Sequence, residues 1–160
     1  MKKEVFQFSY DIYDSAADLA PADAELLTEA ANVTKVAYAP YSRFRVGAAA
    51  RLSNGQIITG TNQENASYPV GICAERVLMS TASSLHPGMA IETLAISYHN
   101  ENGLADRPIS PCGICRQSLL EFEHRTGQPI RLIMGGETGI VYIIPQSGIL
   151  LPLAFDADKL

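Results

Sequence analysis

Charged side chains, basic runs and long apolar runs are all scarce in this sequence, and each shortage argues against a class of protein. Only 18% of the 160 residues are charged and the formal net charge is −5, so we do not expect a nucleic-acid partner. No apolar run is long enough to cross a membrane, and the first residues lack the apolar core of a signal peptide. We therefore expect a cytoplasmic protein without a membrane partner. Hydrophobic residues make up 47% of the chain, enough for a sizeable core and for surface that packs against other subunits.

Cysteine is also scarce, and the positions of the three cysteines are the most informative feature of the chain. They are Cys73, Cys112 and Cys115. An odd number suits a disulfide framework badly, and a reducing cytoplasm would keep the thiols free. Three thiolates suit a zinc ion that keeps its fourth position for water, and Glu75 lies close enough to Cys73 to move protons for that water. A metal-activated water beside a carboxylate is typical of a hydrolytic site.

A structural zinc site and plain buried thiols are the alternatives for these cysteines. A structural site usually closes with a fourth cysteine or histidine. None of the three histidines lies at ligand spacing from a cysteine; they are His86, His99 and His124. The sequence therefore favours an open, catalytic site over a closed, structural one.

Both cysteine segments are predicted to begin helices, where partial positive charge and free N–H groups lower the pKa of a thiol. Cys112 and Cys115 are three residues apart, so their side chains share one face of a helix. Cys73 would supply the third thiolate from the other helix. Three thiolates around Zn²⁺ leave one excess negative charge, which we expect Arg76 to offset from beside the site.

The hydrophobic pattern predicts a helix, two strands, a helix, a strand, a helix and two strands in chain order. The predicted helices are residues 21–39, about 73–83 and 112–126, and the predicted strands are residues 45–52, 56–61, 91–98, 130–134 and 140–144. Only five residues separate the last two strands, too few for a parallel crossover, so we expect this pair to be antiparallel. The pattern predicts one mixed sheet with helices on its faces. Residues 1–20 lack a clear period and indicate an N-terminal extension, followed by a single domain over residues 21–160.

Four segments of the chain, taken together and in order, resemble one known family. They are residues 41–49, which contain Phe44; residues 62–76, which end in Cys-Ala-Glu-Arg; residues 111–117, which contain Pro-Cys-Gly-Ile-Cys; and residues 150–155. All four are similar to segments of the zinc-dependent cytidine deaminases of the homotetrameric, small-subunit type. Four ordered motifs are far more specific than any one of them alone.

The resemblance implies a fold and a reaction. The fold would be an α/β, three-layer α/β/α sandwich around a five-stranded mixed sheet, assembled as a homotetramer with shared active sites. The reaction would be the hydrolytic deamination of cytidine and deoxycytidine to uridine and deoxyuridine plus ammonia, in pyrimidine salvage. One zinc ion per subunit would be the cofactor, and the partners would be the nucleoside substrate and other copies of the chain.

The resemblance also implies roles for particular residues. Cys73, Cys112 and Cys115 would hold the zinc, and Glu75 would carry protons. The implied substrate contacts are Asn62 and Glu64 to the ribose, Phe44 to the pyrimidine ring, Ala66 to the base edge through its backbone, and Phe155 to the pocket of a neighbouring subunit. Arg76 and Gln117 would surround the zinc ligands.

Three alternatives remain at this point. Another aminopyrimidine such as blasticidin S is compatible with the same zinc motif. A deaminase of polynucleotides would need a basic groove, and the acidic charge and the short final turn argue against it. A zinc-stabilised binding module would not need Glu75. One departure from the family pattern is Arg45, which stands where a proline is usual and adjoins Phe44 near the expected mouth of the pocket.

Overall fold

Six strands form one mixed sheet in the structure, a computed structural model that describes residues 1–156. They are β1 (Asp11–Tyr13), β2 (Phe44–Leu52), β3 (Ile57–Thr61), β4 (Ile91–Asn100), β5 (Arg131–Met134) and β6 (Val141–Ile144). Their order across the sheet is β1-β6-β5-β4-β2-β3. Every neighbouring pair is antiparallel except β4 and β5, which are parallel. The antiparallel pairing of β5 with β6 confirms the prediction made from their short connection.

Three helices cover the two faces of the sheet: α1 (Pro21–Val33), α2 (Ala74–Leu85) and α3 (Gly113–Thr126). α1 packs on one face, where its buried side chains meet those of the central strands; this cluster includes Leu26, Leu27, Ala30, Ala49, Ala95 and Ile133. α2 and α3 pack on the other face in a second cluster that includes Leu78, Leu119, Phe122, Ala48, Leu94 and Leu132. Successive strand residues belong to opposite clusters because side chains alternate across a sheet. The predicted three-layer α/β/α sandwich is confirmed.

The sheet has six strands rather than the predicted five. The additional strand is β1, which pairs with β6 in the register Asp11 opposite Ile143 and Tyr13 opposite Val141. Only three residues pair, and their partner β6 lies more than a hundred residues away, so the prediction from local patterns left this strand out. The division into residues 1–20 and 21–160 stays a prediction, and its last four residues, 157–160, lie outside the described part of the chain.

A glycine on β3 lets α2 lie directly on the sheet. A Cβ atom at Gly60 would come within 2.5 Å of the Leu78 nitrogen and 2.6 Å of the Ala74 oxygen. Any side chain here would push the first turns of α2 away, because those distances are far below normal carbon contacts. The close approach fixes where α2 begins, and Cys73 is the residue that caps it. Within residues 1–156, no helix has both the length and the apolar character needed to cross a membrane.

Candidate active site

The three cysteines, far apart in sequence, meet where α2 and α3 begin. Cys73 and Cys112 are the N-caps of α2 and α3, and Cys115 is buried in the first turn of α3. The Sγ atoms are 3.7 Å apart between Cys73 and Cys112 and 3.5 Å apart between Cys112 and Cys115. Tetrahedral zinc with Zn–S bonds of about 2.3 Å requires sulfur atoms roughly 3.8 Å apart. The donor set and its spacing therefore fit a zinc ion.

The cluster has three protein donors. In residues 1–156, no fourth histidine, cysteine or carboxylate side chain joins the three thiols, all of whose sulfur atoms lie within 4.8 Å of one another. A tetrahedral ion held by three thiolates keeps one position for a ligand that the described residues do not supply. This arrangement is typical of a catalytic site and not of a closed structural one.

The thiols of Cys73 and Cys115 have opposite electrostatic environments. A hydrogen bond from Cys115 lowers the pKa of Cys73 to about 6, although burial and the nearby Glu75 carboxylate work against this shift. The pKa of Cys115 is raised, first because it gives that hydrogen bond to Cys73 and then because of burial. Cys73 is therefore the first of the pair to become a thiolate, which is the form that binds a metal.

Glu75 is the buried carboxyl group of the site, with 5% of its surface exposed. It lies in the first turn of α2, where the helix N-terminus favours an acidic side chain. Burial raises the pKa of Glu75, and hydrogen bonds from its own backbone N–H and from Cys115 offset part of the rise. A carboxyl group with a raised pKa exchanges protons more readily near neutral pH than an exposed one.

A cavity of about 400 Å³ opens in front of Glu75 and the thiols. Its lining includes Cys73, Cys112 and Glu75, and two of the predicted substrate contacts, Asn62 and Glu64. A cavity of this size holds a small organic molecule, because ligand sites usually measure about 300–1,000 Å³. The structure therefore brings two of the three predicted metal ligands, the predicted proton carrier and two predicted contacts to one cavity, with Cys115 buried behind them.

Asn62 and Glu64 also shape the walls of the cavity. The Asn62 Oδ1 atom accepts a hydrogen bond from the Val46 N–H at 2.7 Å, and its Nδ2 atom donates to the Phe44 oxygen at 2.9 Å. The Glu64 carboxylate accepts bonds from the Tyr41 N–H at 2.9 Å and from the N–H and hydroxyl of Ser42. Asn62 thus holds the first residues of β2 against the cavity wall, and Glu64 holds the loop that precedes β2.

Replacing Glu64 with glutamine is expected to give a pH-dependent loss of stability. The Ser42 hydroxyl, followed by the Tyr41 and Ser42 N–H groups, lowers the pKa of Glu64 from its ordinary value of 4.5. A lowered pKa stabilises the folded chain above that ordinary value, and the contribution is lost as the pH falls through the folded-state pKa. Wild type should therefore be more stable than Glu64→Gln at neutral pH, by a margin that shrinks in acid below pH 4.5.

Urea unfolding at a series of pH values measures this margin. The exposed Glu92 on β4 provides a matched Glu92→Gln control, for which we expect little margin at any pH. A Glu64→Gln margin that stays constant from neutral to acid pH would contradict the assignment.

The other predicted site residues lie outside the lining of this cavity. Phe44 stacks on Tyr98 with ring centroids 4.8 Å apart. Ala66 is exposed, and Phe155 is 61% exposed, with its backbone oxygen accepting a hydrogen bond from the Gln117 side chain at 2.9 Å. Arg76 is half-buried and lines a separate surface depression between α2 and α3. Their predicted roles stay predictions.

Arg45 does not reach the cavity. Its side chain forms an ion pair with Glu101 at 2.8 Å and donates to the Lys35 backbone oxygen at 3.4 Å. Phe44 and Val46 point to the opposite face of β2, because side chains alternate along a strand. Arg45, which stands where a proline is usual in the family, therefore lies on the α1 side of the sheet and does not line the cavity.

Several residues of the site were not predicted from the sequence. Val46, Ile109 and Ser42 form or support the cavity wall. Arg116 donates to the Pro111 oxygen at 2.9 Å and to the Leu150 oxygen at 3.1 Å, and so ties the segment before Cys112 to the C-terminal segment. Arg116 lies within the third motif, residues 111–117, and Ser42 and Val46 lie within the first, residues 41–49, so the motifs were the available signal for these three. Ile109 lies in a loop whose position depends on tertiary contacts, so the local sequence gave no sign that this residue would line the cavity.

Known proteins are similar to this chain in both sequence and fold. Residues 21–127 match the family model described as the cytidine and deoxycytidylate deaminase zinc-binding region. The chain is 37% identical to a cytidine deaminase of Halalkalibacterium halodurans over 84% of this chain and 95% of that protein. It is 41% identical to a cytidine deaminase of Mycobacterium tuberculosis over 78% of this chain and 82% of that protein.

The structural comparison agrees. The crystal structure of cytidine deaminase from Burkholderia pseudomallei superposes with a TM-score of 0.71 at 34% identity, covering 82% of this chain and 97% of that one. The matched family region contains all three clustered thiols and Glu75. The protein therefore belongs to the cytidine and deoxycytidylate deaminase family.

Proposed function

We propose that the protein hydrolyses cytidine and deoxycytidine to uridine and deoxyuridine, releasing ammonia, as a step of pyrimidine salvage. The observation that carries this proposal is the buried Glu75 carboxyl group beside a three-thiol cluster, with Glu75, Cys73 and Cys112 lining one cavity. Sequence relatives and a solved structure that bear the name cytidine deaminase support the same reaction. The protein is thus a zinc-dependent hydrolase that acts on the C–N bond of a cyclic amidine.

Cys73, Cys112 and Cys115 hold one zinc ion per subunit. When bound, zinc polarises a water molecule and lowers its pKa, which supplies the nucleophile near neutral pH. The half-buried Arg76 follows Glu75 directly, and we assign it the role of offsetting the excess negative charge of three thiolates. Gln117, one turn into α3, anchors the C-terminal segment to the same region through the Phe155 oxygen.

Glu75 moves the protons of the reaction. Its carboxylate accepts a proton from the attacking water and delivers it to N3 of the pyrimidine, which makes C4 more electrophilic. A second proton passes through the same carboxyl group to the exocyclic amine, which then leaves C4 as ammonia. One side chain acts first as base and then as acid, and its raised pKa suits both roles. The Ser110 segment lines the cavity and is placed to accept a hydrogen bond from the leaving amine.

We assign the sugar to the end of the cavity formed by Asn62 and Glu64, whose polar side chains suit hydroxyl groups. Phe44 packs on the pyrimidine, Ala66 contacts the base through its backbone, and Phe155 completes the pocket of another subunit. Phe155 is exposed and lies outside the lining of its own cavity, which supports a site that a second copy completes. Large exposed apolar side chains near the cavity, Tyr68 and Val70 among them, support a homotetramer. Residues 21–160 form the deaminase domain and residues 1–20 an extension, in a cytoplasmic protein that keeps its thiols reduced.

A substrate panel tests the proposal. Zinc-loaded protein is mixed with cytidine, deoxycytidine, blasticidin S or single-stranded DNA, and deamination is followed as loss of absorbance or release of ammonia. We expect turnover of both nucleosides and none of the DNA. Faster turnover of blasticidin S than of either nucleoside would identify blasticidin S, and not the nucleosides, as the preferred substrate. No turnover of any compound by zinc-loaded protein would indicate a zinc-stabilised binding module without catalytic activity.

Removing one thiol is expected to abolish stoichiometric zinc binding. Changes around metal ligands alone cost about 10–100-fold in affinity, so loss of a ligand in Cys73→Ala should cost more. Metal analysis of the purified variant measures the zinc per subunit, and circular dichroism verifies its fold. Ser110→Ala, which alters the same cavity without removing a thiol, is the control that should retain zinc. A full zinc complement in Cys73→Ala would remove Cys73 from the ligand set.

A further inference from the structure

The first ten residues extend past the end of their partner strand. β1 pairs with β6 only from Asp11 to Tyr13, and residues 1–10 are exposed. Continuing that register would bring the chain opposite Pro145, which has no N–H to donate, and β6 ends just before it. In the described part of the chain, no strand pairs with residues 1–10. Their backbone N–H and C=O groups thus form an open edge of the kind that pairs with other chains.

One face of this segment is apolar. Phe6, Phe8, Tyr10 and Ile12 alternate with mostly polar residues, the pattern of a strand with one buried face. Neighbouring rings are 6.1 and 6.2 Å apart, as expected for every second residue of an extended chain. Phe6 and Ile12 are each 57% exposed. A row of exposed aromatic and branched side chains is costly in water and marks an interaction surface.

The charges of the segment are divided between its two ends. Lys2 and Lys3 outnumber Glu4 at one end, which keeps a net positive charge, and Asp11 and Asp14 lie at the other. In an extended chain, Lys2 and Asp14 are about 40 Å apart, at roughly 3.3 Å per residue, so they cannot pair within one copy. Two antiparallel copies bring the lysine end of each against the aspartate end of the other. Opposite charges across neighbouring strands are favourable, and like charges are not.

The same arrangement pairs the aromatic residues. With Phe8 opposite Phe8, Phe6 of one copy faces Tyr10 of the other, and Lys2 faces Asp14. All these pairs lie on one face of the ribbon, because directly opposed residues of antiparallel strands point to the same side. Such a contact is self-complementary, as a two-fold interface between identical chains requires.

We propose that residues 2–14 form an antiparallel, two-stranded ribbon with the same residues of a second copy of the chain. The ribbon lies outside residues 21–127, which match the family model, and uses no residue of the cavity. It continues the sheet of each copy outwards from β1, its edge strand. A two-stranded ribbon alone is marginally stable, so it strengthens an assembly that other surfaces also hold.

Charge exchange at the two ends of the segment tests the proposal. Sedimentation equilibrium at low ionic strength compares wild type with Lys2→Glu/Lys3→Glu, with Asp11→Lys/Asp14→Lys and with all four changes together. Each two-residue variant makes the two ends alike in charge, so we expect association at least about tenfold weaker, equivalent to about 1.4 kcal/mol. The four-residue variant restores opposite ends and should associate like wild type. Deleting residues 2–9, which keeps Tyr10 and its ring contact with Tyr142, should weaken association as well.

The Asp11→Lys/Asp14→Lys variant also distinguishes pairing of the segment from electrostatic repulsion between whole molecules. Two Asp→Lys changes bring the formal net charge from −5 to about −1, so less repulsion between whole molecules would strengthen its association. Weaker association of this variant therefore points to the segment itself. Hydrogen–deuterium exchange provides a second measurement where the assembly is too tight to dissociate: every second amide of residues 2–9, the set that bonds to the partner strand, should be protected in wild type and in the four-residue variant only.

Two results would overturn the proposal. Unprotected amides at residues 2–9 in concentrated wild-type protein would show that nothing pairs with them. Protection or association that survives both two-residue variants unchanged would show that the lysine and aspartate ends do not meet, and that a different partner surface covers the aromatic face.

Discussion

Glu75→Gln is expected to lower the turnover of cytidine by about 10²–10⁴-fold, the usual contribution of a positioned acid or base. Glutamine has the shape of glutamate and hydrogen-bonds in the same place, but it cannot accept a proton and return it. Because Glu75 lies in the cavity beside Cys73 and is nearly fully buried, no exposed carboxylate replaces it. The loss should appear in kcat, since the proton transfers occur after the nucleoside has bound.

The measurement requires that zinc and fold are unchanged. Zinc per subunit and thermal unfolding are therefore recorded on the same Glu75→Gln preparation used for kinetics. Glu92→Gln, at an exposed position near the start of β4, is the matched control and should keep wild-type turnover. A zinc-replete Glu75→Gln protein that turns over cytidine at the wild-type rate would assign the proton transfers to another group.

The largest loss of stability is expected from Glu123→Ala on α3. Glu123 is only 4% exposed, and its Oε1 atom accepts hydrogen bonds from the Ile130 N–H at 2.8 Å, the Ser147 N–H at 3.0 Å and the Ser147 hydroxyl at 2.7 Å. Its Oε2 atom accepts a bond from the Gln146 side chain at 3.3 Å. Alanine leaves the buried Ile130 N–H and Ser147 hydroxyl without this acceptor, at a cost of about 1–3 kcal/mol for each buried group, whereas the Ser147 N–H keeps its bond to the Ile130 oxygen at 2.8 Å.

We expect Glu123→Ala to lower the free energy of unfolding by about 3 kcal/mol, because two buried donors, the Ile130 N–H and the Ser147 hydroxyl, lose their acceptor. For a chain of this length that corresponds to a fall in Tm of about 6–12 °C. Glu123→Gln keeps one acceptor oxygen and should lose less. Glu121→Ala, an exposed position two residues earlier on the same helix, should change Tm little. Equal melting temperatures for Glu123→Ala and Glu121→Ala would contradict the assignment.

The sequence predicted most of the parts of the fold that depend on local patterns. The predicted starts of α2 and α3 at the cysteine segments agree with the structure, because the extended Cys73 and Cys112 are followed by helix-forming residues. The first two predicted strands agree as well: β2 and β3 pair as a hairpin, and Gly55 in its turn has φ 82°, a conformation that glycine adopts without strain. The family resemblance is confirmed by the comparisons with known proteins.

The features that escaped prediction depend on contacts between distant segments. β1 pairs over three residues only because β6 offers an edge more than a hundred positions away, and no local period encodes such pairing. Glu123 has the sequence context of an exposed helical glutamate, and its burial follows from the turn at Ser147 folding over it. The stacking of Phe44 on Tyr98 likewise required the register between β2 and β4.

The separation of the thiols along the chain also orders the events of folding. Cys112 and Cys115 come together as soon as the first turn of α3 forms, whereas Cys73 and Cys112 are 39 residues apart and are separated by α2 and β4. Contacts between distant segments form late, because closing a long loop costs conformational entropy before the contacts that it allows can stabilise the chain. A chain in which β4 has not yet joined β2 and β5 therefore carries a pair of thiols but not the trio. Completion of the thiol trio is thus a marker of a chain whose central sheet is already assembled.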